Sequence, residues 1–296
     1  MDTRHFLVLT AAAGIGDDAG AAGHGRLQAA GLGATRPRRL AAGALEIGFV
    51  GAPPAGFDPR ALLPGAAVDA NVVPAEGRRK RILIADMDST IIGVECIDEL
   101  ADFAGVREAV AAVTEAAMRG ELDFEAALEA RVQLLAGLSE AVLARAYEER
   151  VRLNPGARTL VRTMAACGAV TALVSGGFTY FTERVAAAAG FAENRANRLE
   201  AAGGVLTGKV VRPILGRAAK REALDGLCAR LGVGPEAAVA VGDGANDLDM
   251  VRAAGLGVAY RAKPALVEAA AARLDHSDLT AVLALQGIPE TEWLPD

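Results

Sequence analysis

What most constrains this 296-residue chain is a change of pattern at residue 81. From there on, short apolar runs alternate with segments of helical period. The runs are 81–86 (RILIAD), 169–177 (AVTALVSGG), 237–244 (AAVAVGDG) and 255–260 (GLGVAY). They are continuous rather than alternating, as expected for strands buried on both faces of a parallel sheet. Helices are predicted at 155–167, 178–190, 217–231, 246–254 and 263–271. Strands and helices in alternation define a doubly wound α/β fold.

Two insertions interrupt this pattern. Residues 95–150 carry no strand signal but place Ile97, Leu100 and Ala104, then Phe124, Leu128 and Val132, at helical spacing. They predict a helical cap over about 94–152. Residues 196–213 predict a hairpin turning at Gly203–Gly204. The same stretch contains GGVLTGK, close to a phosphate-binding loop. Val210 stands where that loop needs a hydroxyl, and a hairpin is the wrong context, so the hairpin reading is preferred.

Residues 1–75 form a separate small α+β unit in this reading. HFLVLT, ALEIGFV and AVDANVVP are its strands, and 17–30 its helix. GIGDDA (14–19) resembles a dinucleotide fingerprint, but Asp17 and Asp18 would meet the pyrophosphate, and a helix N-cap suits them better. The basic run Arg78–Arg81 is expected to be a solvated linker into the second domain, 76–296.

Composition narrows the chemistry. Net charge is −6, which disfavours nucleic acid and anionic membranes as partners. No run approaches a membrane span, and HFLVLT is too short for a signal peptide, so a cytoplasmic location is expected. Cys96, Cys167 and Cys228 are too scattered for a disulfide framework or a zinc site. None has an arginine six residues on, as a cysteine phosphatase requires. The three histidines lie apart from other candidates, which weakens triad and zinc-hydrolase chemistry.

Three of the four apolar runs end in polar clusters: DMDST, SGG and GDGAND. In open α/β sheets, ligands bind beyond the carboxyl ends of the strands, so these clusters should converge. Asp86 and Asp243, with the backbone carbonyl of Asp88, offer hard oxygen ligands suited to Mg²⁺. A cation there would offset the cost of paired carboxylates and let a carboxylate approach an anionic phosphate. Lys220 opens the helix before GDGAND. Spacing alone leaves open whether it faces the crevice or the solvent.

DMDST, SGG, Lys220 and GDGAND resemble, in order, the four motifs of the haloacid dehalogenase superfamily of phosphotransferases. VECIDELA (94–101), AMRGELDFEAALEARVQLL (117–135), VSGGF and VGDGANDLDM are similar to the branch that hydrolyses O-phospho-L-serine in the last step of serine synthesis. The resemblance covers residue 81 to about 285. It implies Asp86 as nucleophile and Asp88 as general acid. It implies Ser175, Gly176 and Lys220 as the phosphate cradle, and Asp86, Asp88 and Asp243 as Mg²⁺ ligands. Asn246 and Asp247 would orient substrate and metal shell. In the cap it implies Glu95 against the substrate ammonium, Arg131 against its carboxylate, and Met118 and Phe124 as apolar neighbours. Arginine suits a carboxylate because its planar fork binds both oxygens. Similar enzymes often carry a βαββαβ amino-acid-binding domain at the N-terminus, of which 1–75 would be a degenerate version. A homodimer is one option for assembly. The alternatives are another capped phosphatase or phosphotransferase, such as one making phosphohomoserine, or a non-catalytic serine sensor. The intact Asp86, Asp88, Lys220 and Asp243 set argues against the sensor.

Overall fold

A computed structural model describes residues 4–53 and 56–295, apart from the side chain of Met118. The N-terminal unit runs β1 (His5–Thr10), α1 (Asp17–Ala29), β2 (Gly33–Ala34), β3 (Arg38–Ala41), β4 (Ala44–Val50) and β5 (Asp69–Pro74). Its antiparallel order is β2-β4-β1-β5, with β3 also on β4. This is the pairing of a βαββαβ sandwich whose second helix is reduced to the single turn Pro59–Leu62. Asp17 and Asp18 form the first turn of α1, where carboxylates favour the helix dipole, and Gly16 is the cap residue.

Period-two alternation gives β1 two buried faces. Leu7 and Leu9 join Leu27, Ile47 and Phe49 on the α1 side. Val8 points the other way, into an apolar cluster shared with Leu279, Val282, Leu283 and Leu285 of the C-terminal region. The basic run 78–81 is solvated only in part: Arg79 and Arg81 are exposed, but the Arg78 side chain is largely buried. Arg78 lies over the Phe6 ring at 4.3 Å and donates to Glu46 (2.6 Å) and to the carbonyls of Leu285 (2.7 Å) and Ala284 (3.0 Å). Arg79 makes a two-pronged pair with Glu292 at 2.9 and 2.8 Å, and Lys80 donates to the carbonyls of Gly77 and Glu236. Composition suggested solvation; the fold supplies carbonyls and carboxylates distant in sequence that absorb these charges.

The second domain begins with β6 (Ile82–Ala85) and continues into four cap helices, α2 (Cys96–Ala104), α3 (Arg107–Met118), α4 (Phe124–Gln133) and α5 (Ala141–Arg150). It returns through α6 (Ala157–Ala166), β7 (Val170–Phe178), α7 (Thr179–Ala189), β8 (Glu193–Ala202) and β9 (Val205–Val211). It ends with α8 (Arg217–Leu231), β10 (Ala238–Gly242), α9 (Leu248–Ala253), β11 (Leu256–Tyr260), α10 (Pro264–Val267), β12 (Ala272–Leu274) and α11 (Ala281–Leu285). The sheet order is β12-β11-β10-β6-β7-β8-β9, parallel except for the β8–β9 hairpin. Ile82 and Ile84 face α8, α9 and α10 through Leu224, Met250 and Leu266, while Leu83 and Ala85 face the opposite core. The chain leaves β6 toward β7 and later returns on its other side at β10. That reversal opens a crevice above the ends of β6, β7 and β10.

Two linkers tie the cap to this crevice. Ile92 bridges Leu153, and the Asn154 side chain donates to the Thr90 carbonyl at 2.8 Å. The structure differs from the sequence reading mainly in short elements. Strands β2, β3 and β12 are two to four residues long, too short for a periodicity, and the predicted helix 263–271 covers only Pro264–Val267.

Candidate active site

Beyond β6 the backbone turns sharply through Met87–Ile91, with Ser89 at φ 56°. A serine in the left-handed region is uncommon and costs about 1–2 kcal/mol. The turn is held by Ser89 N–H to the Val94 carbonyl (3.2 Å) and by Ser89 Oγ donating to Glu95 Oε1 (2.7 Å). It projects Asp86 and Asp88 into the crevice, where they are only 3 % and 8 % exposed.

The groups under the crevice form one network. Asp86 Oδ1 accepts the Met87 N–H at 2.8 Å and lies 2.7 Å from Lys220 Nζ. Lys220, 2 % exposed, also meets Asp247 Oδ1 at 2.6 Å. Asp247 Oδ2 accepts the N–H groups of Asp243 and Gly244, both at 3.1 Å. Asp88 is fixed by both oxygens: Oδ1 accepts the Cys96 N–H at 2.9 Å, and Oδ2 accepts from Ser175 Oγ at 3.0 Å. Ser175 Oγ in turn accepts the Gly177 N–H at 2.8 Å. The question that spacing left open for Lys220 is answered by this burial.

Four buried aspartates, Asp86, Asp88, Asp243 and Asp247, therefore face one buried lysine. Burial pushes the Asp86 carboxyl well up, the Asp247 charge adds to this, and Lys220 opposes both. Burial raises Asp88, with the Cys96 and Ser175 hydrogen bonds opposing. Asp243 is pushed up to about 6 by burial and by Asp247. Lys220 is held charged: Asp247 and Asp86 outweigh its burial. This excess of negative charge is the deficit a divalent cation fills. Oxygens of Asp86, Asp243 and Asp247 lie within 4.8 Å of one another. Asp247 has both oxygens engaged already, whereas Asp86 keeps Oδ2 free of hydrogen bonds among the described residues. The donor set thus fits Mg²⁺ on Asp86 and Asp243, with Asp247 bracing them. The Asp88 carboxylate is held by Cys96 and Ser175, outside this cluster.

The cap closes over the crevice. Phe124 packs so tightly on Gly176 that a Cβ there would lie 2.9 Å from its ring, and it covers Gly216 as well. Glu95, at the start of α2, is raised to about 7 by burial and by the Asp88 charge, with the Ser89 hydrogen bond opposing. Arg131 on α4 donates Nε to the Ala127 carbonyl at 3.2 Å, and burial lowers its pKa while Asp98, Glu95 and Asp88 oppose. Asn246 is half-buried and folds over Gly244. The Met118 side chain lies outside the described residues. Sequence reasoning missed Cys96, whose backbone N–H grips Asp88, and Asn197, whose side chain donates to the carbonyls of Gly176 (2.8 Å) and Leu215 (3.2 Å). A backbone donor leaves no trace in residue type, and Asn197 lies in the polar stretch ENRANRLE, where one more amide does not stand out.

A parallel sheet with crevice carboxylates, a buried lysine and a closing helical cap defines a phosphotransfer hydrolase. The chain belongs to the haloacid dehalogenase-like hydrolases, whose family model matches residues 83–252. A phosphoserine phosphatase of Albidiferax ferrireducens is 46 % identical over 232 residues, 77 % of this chain and 98 % of that protein. The unliganded crystal structure of a probable phosphoserine phosphatase from Vibrio cholerae is similar at TM-score 0.80 and 32 % identity, covering 98 % of this chain and 88 % of that one. A structure of phosphoserine phosphatase as an analogue of its phospho-aspartyl intermediate matches at TM-score 0.65 and 39 % identity, covering 69 % of this chain and 98 % of that one.

Proposed function

We propose that this chain hydrolyses O-phospho-L-serine to L-serine and inorganic phosphate, the last step of serine synthesis, through an aspartyl-phosphate on Asp86 and with Mg²⁺ bound. The observation that carries the reading is the placement of Lys220 between Asp86 and Asp247, opposite the Asp88–Ser175 pair. Burial raises both carboxyls; at Asp86 the Lys220 contact opposes this and a bound Mg²⁺ would oppose it further, as a nucleophile needs, whereas the Asp88 carboxylate is bonded only to Cys96 and Ser175, as suits an acid.

Asp86 attacks phosphorus, the bond from phosphorus to the seryl oxygen breaks, and the proton of Asp88 goes to that oxygen. Asp88, now a carboxylate, takes a proton from the water that cleaves the phosphoenzyme. Lys220, Ser175 and the Gly176 backbone hold the phosphate oxygens. Asp86, Asp243 and the Asp88 carbonyl would hold Mg²⁺, which when bound screens the repulsion between carboxylate and phosphate. Asp247 and Asn246 keep that arrangement in register. In the cap, Glu95 faces the ammonium, Arg131 the carboxylate, and Phe124 and Met118 the apolar part of the substrate. The closed cap excludes water other than the reactant.

Residues 76–296 are the phosphatase domain in this reading, and 1–75 a reduced βαββαβ module. A cytoplasmic location goes with the substrate and suits three unpaired cysteines. The test is phosphate release from O-phosphoserine, phosphoethanolamine and phosphoglycolate, with Mg²⁺ and with EDTA. Turnover of phosphoserine well above the other two, lost in EDTA, is expected. Comparable rates on all three would sink the substrate assignment. Phosphohomoserine appearing when homoserine is added would favour the transferase reading.

A further inference from the structure

The β8–β9 hairpin meets the crevice at Asn197, which holds the Gly176 carbonyl, and farther along it seats the cap helix that carries Arg131. Gly208 on β9 has φ 79°, and a Cβ there would lie 2.8 Å from Ala136 Cβ and 3.2 Å from the Gln133 carbonyl. The hairpin backbone is thus pressed against the C-terminal end of α4. Just beyond, the cap loop pairs with the hairpin tip. Gly137 N–H donates to the Leu206 carbonyl (2.8 Å), Leu206 N–H to Leu138 (2.8 Å) and Glu140 N–H to Gly204 (3.0 Å). Arg212, at the hairpin's base, reaches Glu125 (3.2 Å) and Glu129 (2.6 Å) on the outer face of α4. On its inner face the helix sets Leu128 and Val132 into the main apolar cluster and Phe124 on Gly176 and Gly216. Arg131 sits two residues before Gln133, and its hydrogen bond goes to its own helix. Wherever α4 sits, the guanidinium goes with it.

We propose that the hairpin is a specificity-determining element, with Gly208 and Arg212 as positioning residues that set the distance from Arg131 to the crevice floor. This deepens the reading of Arg131 as the carboxylate ligand and rests on it. It also gives the last glycine of GGVLTGK, Gly208, a role: closeness of two backbones rather than phosphate binding.

The test compares O-phosphoserine with p-nitrophenyl phosphate, which has no carboxylate, in Gly208→Ala, Arg212→Ala and Gly208→Ala with Ala136→Gly. Displacing a charge-assisted contact predicts a KM for phosphoserine raised roughly tenfold in Gly208→Ala and about two- to threefold in Arg212→Ala, with kcat nearly constant. Rates on p-nitrophenyl phosphate should hold within about twofold, since that ester gives Arg131 no carboxylate to hold. Removing the Ala136 Cβ should recover part of the loss. Arg212 is exposed, so its variant will fold even if Gly208→Ala does not. A common fall on both esters, no change in either exposed or seated variant, or a double variant no better than the single would overturn the proposal. Should the wild type prefer another carboxylate-bearing ester, the loss should follow that ester. The substrate assignment would then fall while the seat stands.

Discussion

The floor of the crevice and its roof are built on opposite principles. On the floor, Lys220 has two carboxylate partners, Asp247 three donors and Asp88 two, and each is almost wholly buried. On the roof, Glu95 has one hydrogen bond to a neighbouring serine and Arg131 one to its own helix. Lys220, Asp247 and Asp88 are satisfied before any substrate arrives, leaving Asp86 Oδ2 open on the floor; the roof keeps unused donors and acceptors. Preorganised groups stabilise developing charge without reorganising. Groups with spare capacity discriminate, because a wrong ligand leaves them unpaired. The contrast implies that floor substitutions lower turnover of every ester, and roof substitutions only of those with the right amino-acid end.

The sharpest way to break this division is Asp86→Asn. It should abolish phosphate release from all esters, and acid-stable labelling from phosphoserine should disappear while the melting curve is retained. Uncatalysed monoester hydrolysis is slow enough for enhancements of up to ~10²¹-fold, so the loss should reach the detection limit. Asp88→Asn should lower kcat on phosphoserine by ~10²–10⁴-fold, and much less on p-nitrophenyl phosphate, whose leaving group needs no proton. Equal losses would remove Asp88 from the proton's path. Arg131→Lys keeps the charge but not the fork. It should lower kcat/KM for phosphoserine by about 1.5–3 kcal/mol, one to two decades, and leave phosphoethanolamine untouched.

The smallest expected effect concerns pH. With Glu95 raised to about 7, it is ionised above that pH and neutral below. An ammonium-bearing substrate needs the ionised form, so kcat/KM for phosphoserine should fall as pH drops through about 7, while phosphoglycolate shows no such step. The sign for stability is opposite: a buried carboxyl with a raised pKa favours the fold when protonated, so this contribution fades as pH rises. Glu95→Gln should erase the step. Persistence of the step in that variant would assign it to another group.

The floor was legible in the sequence because each strand end carries its chemistry in contiguous residues: DMDST, SGG and GDGAND. The roof was legible only by resemblance, since Glu95 and Arg131 on exposed-looking helices give no local sign of their direction. The hairpin's part in holding α4 was hidden because its contacts join residues some 70 positions apart, Gly208 with Gln133 and Ala136. Arg78 shows the same limit. Its partners are Glu46, 32 residues before it, and Leu285, 207 after it. No window along the chain contains all three, and so a buried clamp looked like a wet linker.

That clamp has a consequence for how the chain is made. The sheet formed by residues 5–74 can pair its own strands as soon as they exist. One of its faces cannot be covered then, because Val8, Val73 and Ala44 pack against Leu279, Val282 and Leu283. Asp69 likewise waits for the N–H groups of Asp275 and His276 and the hydroxyl of Ser277. At ~5–20 residues per second of synthesis, the interval between the two ends is roughly 10–40 s. Throughout it, the first-made sheet stands on the ribosome with an apolar face and a row of orphaned polar groups in water. Of these two regions, the one made earlier is finished only by the one made later, 206 residues on at Asp275.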